Sequence, residues 1–121
     1  EVAARRRELA DAPQEERQMA FRELQRKQRE EMEQLKTWWL ERMAKTTRPL
    51  QEKMTLFWHG HFAVSAEKVK EPRYNYHLNK VFRDNATGNF RDLVFEVGKS
   101  PAMLEYLDNR QNRKGSPNEN W

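Results

Sequence analysis

Apolar residues return at helical spacing along most of the chain. Between Pro13 and Lys45 nothing breaks a helix, and Gln, Glu, Arg, Lys, Met and Leu dominate, all good helix formers. Phe21, Leu24, Met32, Leu35, Trp39 and Met43 fall within about 100° of one another on a helical wheel, with Gln28 as the single polar gap. Glu23–Lys27 and Glu41–Lys45 stand in the favourable i, i+4 order. At 1.5 Å per residue such a helix runs roughly 45–50 Å, longer than a small core requires. The stripe is too sparse before Met32 to sustain three or four heptads, so a two-stranded coiled coil ranks second. Residues 1–12 read as a short helix or lead-in, with Asp11, Ala12 and Pro13 as a helix start and Glu15 and Glu16 in the first turn.

The densest aromatic stretch, Pro49 to Phe62, follows a short Thr46-Thr47-Arg48 turn. Pro49 suits a first helical position. Leu50, Met54, Phe57, Trp58 and His61 recur at i, i+4, i+7, i+8 and i+11, which is one apolar face. This pattern predicts a packing hub with His61 buried among Leu50, Met54 and Phe57, and His59 exposed on roughly the opposite side. Two imidazoles so placed cannot share an ion, because a helical zinc pair needs a spacing of three or four. A strand would bring both to one face, but the helical period and Pro49 argue against it. The Trp38-Trp39 end of the preceding helix is expected to pack on Phe57 and Trp58.

Ala63–Glu71 loses periodicity and reads as a loop closed by Pro72. Tyr74, Leu78, Val81 and Phe82 predict a further helix ending near Asn85–Gly88, with Gly88 in a left-handed position. Asn89 and Asp92 form a capping pair for a helix burying Phe90, Leu93, Val94 and Val97 and stopped by Gly98. Ser100-Pro101 opens a last short helix on Met103, Leu104 and Leu107. From Asp108 to Asn120 there is no apolar residue. The carboxylates and amides there could ligate a hard cation or bond a sugar or peptide. Their spacing does not fit an EF-hand loop, and a solvated, turn-rich loop is the plainer reading. The fold class is therefore all-α: an irregular helical bundle of about five helices with one long, partly exposed N-terminal helix. Residues 1–47 supply that helix and its lead-in. Residues 48–121 supply a small bundle ending in a polar loop, both being parts of one larger domain.

Composition adjusts this picture. The 121 residues are 36% hydrophobic and 35% charged, against about 45–50% and 25% in average domains. So polar a chain buries little surface against its ordering entropy; either the long helix stands in solvent or a neighbour covers it. The net charge is +4 with both signs mixed throughout, which is not the single-sign stripe that nucleic acid binding uses. There is no cysteine, so disulfides and thiolate metal sites are excluded. No apolar run approaches the ~20 residues of a membrane span.

Several motifs resemble a large bacterial family, the domain of unknown function 1800. They are Leu56-Phe57-Trp58-His59-Gly60-His61-Phe62, Gly88-Asn89-Phe90-Arg91-Asp92-Leu93, Pro101-Ala102-Met103-Leu104, Tyr106-Leu107-Asp108 and Gln111 to Asn120. The ordered match runs from about Arg48 to Trp121, and the N-terminal helix matches in character alone. Gly60 stands where the family commonly has Asn, and Trp121 where it has Phe or Tyr. The resemblance implies that the chain is one piece of a longer protein, since family members are several times longer. It also implies an exported, envelope or extracytoplasmic, setting for the parent protein. It carries no activity, substrate or cofactor. The positions matching its motifs are His61, Asn89, Arg91, Asp108, Asn112, Asn118 and Glu119, with Arg91 bridging to Asp108 or Glu119 as a charge-assisted pair.

Three function readings follow. The favoured one is a non-catalytic helical scaffold or interaction module of an exported bacterial protein. Its partners would be the rest of its own chain, or a second copy through the N-terminal helix. The alternative is a hydrolase or metal-assisted enzyme whose site is completed elsewhere. There His61 would be general base or ligand, Asp108 and Glu119 orienting or metal-binding carboxylates, and Asn112 and Asn118 weaker ligands. A third reading, binding of nucleic acid or another anionic surface, would use Arg5–Arg7 with Arg110, Arg113 and Lys114 and show steep salt dependence.

Overall fold

The computed structural model describes residues 13–119. They form five α-helices: α1 (Gln14–Lys45), α2 (Pro49–His61), α3 (Pro72–Asp84), α4 (Phe90–Lys99) and α5 (Pro101–Tyr106). A 3-10 turn at Asn109–Gln111 follows. Among the described residues there is no strand, and one isolated bridge pairs Arg113 with Ser116. The all-α architecture with a long N-terminal helix is thus present. The Asp11 start and the Arg5–Arg7 cluster lie outside the described residues.

The helix boundaries follow local chemistry. Glu15 and Glu16 occupy the first turn of α1 and Arg42 and Lys45 its last, each sign matched to the nearby end of the helix dipole. Pro49 opens α2 and Pro72 opens α3, two residues ahead of the expected Tyr74. The Glu71 carboxylate caps α3 by accepting from the backbone N–H of Arg73, and Asn89 caps α4 by accepting from that of Arg91 (2.9 Å). Two expectations about glycine need correction. Gly98 lies inside α4, which runs on to Lys99. Gly88 is not left-handed; among the described residues the positive φ values belong to Asp108 and Gly115. What ends α4 is Ser100. Its buried hydroxyl donates to the carbonyl of Val97 (2.7 Å) and accepts from the N–H of Met103 (3.3 Å), closing one helix and capping the next with one side chain.

The hydrophobic core sits beneath α3, α4 and α5. Leu78, Val81 and Phe82 of α3 meet Leu93 and Val97 of α4, Ala102 and Met103 of α5, and Val64 and Val69 of the loop after α2. Phe82, Leu78 and Leu93 are fully buried, each contributing about 1.5–3 kcal/mol relative to exposure. The two N-terminal helices contribute little to it. No residue of α1 is buried, and the buried residues of α2 are Glu52 and Thr55. Met19, Phe21 and Leu24 of α1 are more than half exposed, so the sparse first half of its stripe lies in solvent. The half-buried Trp58 of α2 and Phe62 just after it pack against the core, and the remaining attachment of α1 and α2 draws on polar groups.

Candidate functional site

Those polar groups converge on Glu52. Its side chain is 3% exposed, yet both carboxylate oxygens are fully engaged. Arg83 of α3 donates Nε to Oε1 (2.7 Å) and Nη2 to Oε2 (3.1 Å), a two-point contact suited to the planar guanidinium. Arg42 of α1 donates Nε to Oε1 (2.8 Å), and Trp39 donates its indole N–H to Oε2 (3.2 Å). The Arg83 contact, reinforced by Arg42, holds the Glu52 carboxyl at about 2, below its ordinary 4.5, against the opposing effect of burial. Both guanidinium groups lie over the Trp38 ring, at 5.3 Å for Arg83 and 5.9 Å for Arg42, and Trp38 meets Tyr76 at 5.4 Å. One carboxylate thus joins α1, α2 and α3.

The orientation of α2 follows from this junction. Glu52 and His59 are seven residues apart and so lie about 20° from each other on the wheel. Drawing Glu52 inward brings His59 inward too, where its ring meets Trp39 at 5.1 Å and Phe82 at 5.7 Å. Burial among these rings lowers the His59 pKa from its ordinary 6.5. Thr55, on the same side, is fully buried and donates to the Gln51 carbonyl (2.7 Å). Gln51 in turn donates to the Arg83 carbonyl (3.2 Å).

The expected assignment of the two histidines is thereby reversed. His61 is exposed and His59 half-buried, so His61 is not walled in by Leu50, Met54 and Phe57. Leu50 is 62% and Phe57 55% exposed. Leu50, Phe57 and His61 of the apolar stripe point outward because the junction takes the other side of the helix, while Met54 is half-buried. Likewise the Trp38-Trp39 end of α1 meets α2 through Glu52 and His59, and Phe57 lies outside that contact. Trp58 stays half-buried and donates its indole N–H to the Ala86 carbonyl (3.0 Å).

The polar C-terminal segment is organised by its own hydrogen bonds. Asp108 adopts a left-handed conformation (φ 55°), and its carboxylate accepts from Lys68 (2.7 Å). Both side chains of that pair are about half exposed, which makes the contact worth little. Asn112 Oδ1 accepts from the Asn118 N–H (3.1 Å), and Asn118 donates its amide to the Leu107 carbonyl. Arg110 pairs with Glu105, while Arg113, Lys114 and Glu119 are exposed. Arg91 does not take the expected bridging role: its guanidinium lies over Phe95 at 5.7 Å, and the ion partner of Asp108 is Lys68. Among the described residues no three His, Asp or Glu side chains gather where they could hold a metal ion.

Sequence reasoning missed the junction itself. A faint signal exists, since Glu52, Thr55, His59 and Phe62 follow a 3-4-3 spacing that marks a second helical face. Arg83, which completes it, is 31 residues away in sequence, beyond the reach of any periodicity.

Fold and junction together define an all-helical domain in which a buried carboxylate fastens a helical hairpin to a small apolar core. A family model described as a protein of unknown function, DUF1800, matches residues 1–121, and the chain belongs to that family. No curated protein and no solved structure matches it.

Proposed function

We propose that this chain is a non-catalytic helical scaffold, an interaction module of a larger bacterial protein. The observation that carries the reading is the orientation of α2. Its polar side is pinned inward by four hydrogen bonds to Glu52, and its apolar side, with Leu50 and Phe57, is left in solvent. Contiguous apolar surface on a small domain marks a place where something docks. Three titratable groups are engaged structurally, Glu52 in the junction, His59 between two rings and Asp108 with Lys68, while His61 and Glu119 are exposed. A scaffold needs a rigid attachment and an open face, and α2 supplies both.

Oxidative footprinting of this chain, compared with the longer protein that contains it, tests the reading. Phe57 and His61 are expected to label readily in the chain and to lose labelling in the longer protein, while His59 stays weakly labelled in both. Equal labelling of Phe57 in the two would overturn it.

A further inference from the structure

The open apolar face extends past α2. From Leu50 it runs through Phe57 and His61, whose rings stack at 6.2 Å, to Trp58, which lies 4.9 Å from Phe57 and 5.8 Å from His61. The Trp58 ring then meets Phe90 of α4 at 5.7 Å. Phe90 and Val94 continue the surface, and both are exposed. Leu50 to His61 spans three helical turns, about 16 Å. Toward the C-terminal end of α2, on the Lys53 edge, Lys53, Leu56, Phe57 and His61 border a shallow, open depression at Gly60, where no side chain obstructs an approaching group.

The exposed charges that α2 and α4 set beside this face have one sign. Lys53 flanks Phe57 on one edge and Arg91 flanks Phe90 and Val94 on the other; both are exposed, and neither carries a carboxylate partner among the described residues. Glu52, the one acidic residue of α2, is turned inward to Arg83. On α4, the wheel puts Asp92 and Glu96 on the edge away from Phe90 and Val94, and Glu96 is paired with Lys99. The result is an apolar strip with a cation along each side and no exposed carboxylate on α2.

We propose that this face binds an amphipathic helix whose apolar stripe is flanked by acidic residues. The assignment rests on the scaffold reading above and names the chemistry of the partner. A helix laid along the strip sets its apolar stripe on Leu50, Phe57, Trp58 and Phe90 and its flanking carboxylates beside Lys53 and Arg91, recognition of an amphipathic helix by its apolar face. A second copy of the chain fits worse. Two-fold pairing sets each patch against itself, so Lys53 and Arg91 of one copy would face the same cations of the other. An anionic bilayer is also a poor match, because surface attraction of that kind uses clusters of about four to eight cations.

The test titrates the chain with two synthetic helical peptides sharing one Leu/Phe stripe, one flanked by Glu and the other by Lys. The Glu-flanked peptide is expected to bind at least about tenfold tighter and to weaken as salt rises. Phe57→Asp, at an exposed position, should lower its affinity at least about tenfold without shifting the unfolding midpoint. Lys53→Glu should narrow the preference between the peptides. Equal affinity for both, binding of neither, preference for vesicles of phosphatidylglycerol, or self-association lost in Phe57→Asp would each overturn the assignment. Loss of Phe57 labelling in the longer protein, together with no preference between peptides, would overturn the acidic helix alone. Full labelling there would remove the scaffold reading as well.

Discussion

The two sides of α2 are inverted relative to their chemistry. The side carrying Glu52, Thr55 and His59 faces the molecule, and the side carrying Leu50, Phe57 and His61 faces water. The difference shows which of two costs governs. Leaving Leu50 and Phe57 half exposed forgoes roughly 25 cal/mol for each Å² of apolar surface left uncovered. Separating a buried carboxylate from its guanidinium costs about 3–5 kcal/mol, because the remaining charge has no partner. Once Arg83 is fixed in α3 beside the core, Glu52 must meet it, and the rest of α2 turns accordingly. The junction sets orientation; the core under α3–α5 supplies most of the apolar burial.

Variants on the two sides should separate these roles. Glu52→Gln removes the charge and leaves Arg83 buried without a counter-ion, so urea unfolding should show a loss of about 3–5 kcal/mol. A loss below about 1 kcal/mol would mean that α2 is held by packing instead. Acid should weaken the same side in two stages. His59 has a lowered pKa, so the unfolded chain takes up its proton first, and stability falls as pH drops below 6.5. Glu52 is also lowered, from 4.5 to about 2; its contribution is complete above pH 4.5 and disappears as pH falls through about 2. Unfolding midpoints measured across pH should show both stages, with the upper one absent in His59→Phe. On the outer side the effects are smaller. Leu50→Ser and Phe57→Ser should each change stability by less than about 1 kcal/mol by urea unfolding, despite occupying the most apolar stripe of the helix. The smallest effect belongs to Leu24→Ser on the exposed first half of α1, within about 0.5 kcal/mol in the same measurement.

Much of the architecture is legible because its signals are local. The unbroken run from Gln14 to Lys45, Pro49 and Ser100-Pro101 as helix openings, and Asn89 as a cap all act within one or two turns. The rotation of α2 is not legible in that way. Its wheel favours Leu50, Met54, Phe57, Trp58 and His61, and the competing demand comes from Arg42 and Arg83 on other helices. Glycine misleads for a similar reason. Gly98 is carried through α4 because termination waits for the Ser100 hydroxyl, whereas Asp108, with no glycine to prompt it, takes the left-handed turn. Of the candidate site residues, Asn89, Asn112 and Asn118 are engaged with backbone groups, roles that a motif match alone does not distinguish from ligand binding.

The unequal spacing of the three helices around Glu52 also orders their assembly in time. Arg42 lies 10 residues from Glu52 and Arg83 lies 31, so the α1–α2 hairpin closes across a short turn while α3 must return over a longer loop. The carboxylate should meet Arg42 early in folding and Arg83 late. Truncating Arg42 should then chiefly slow refolding, and truncating Arg83 should chiefly hasten unfolding.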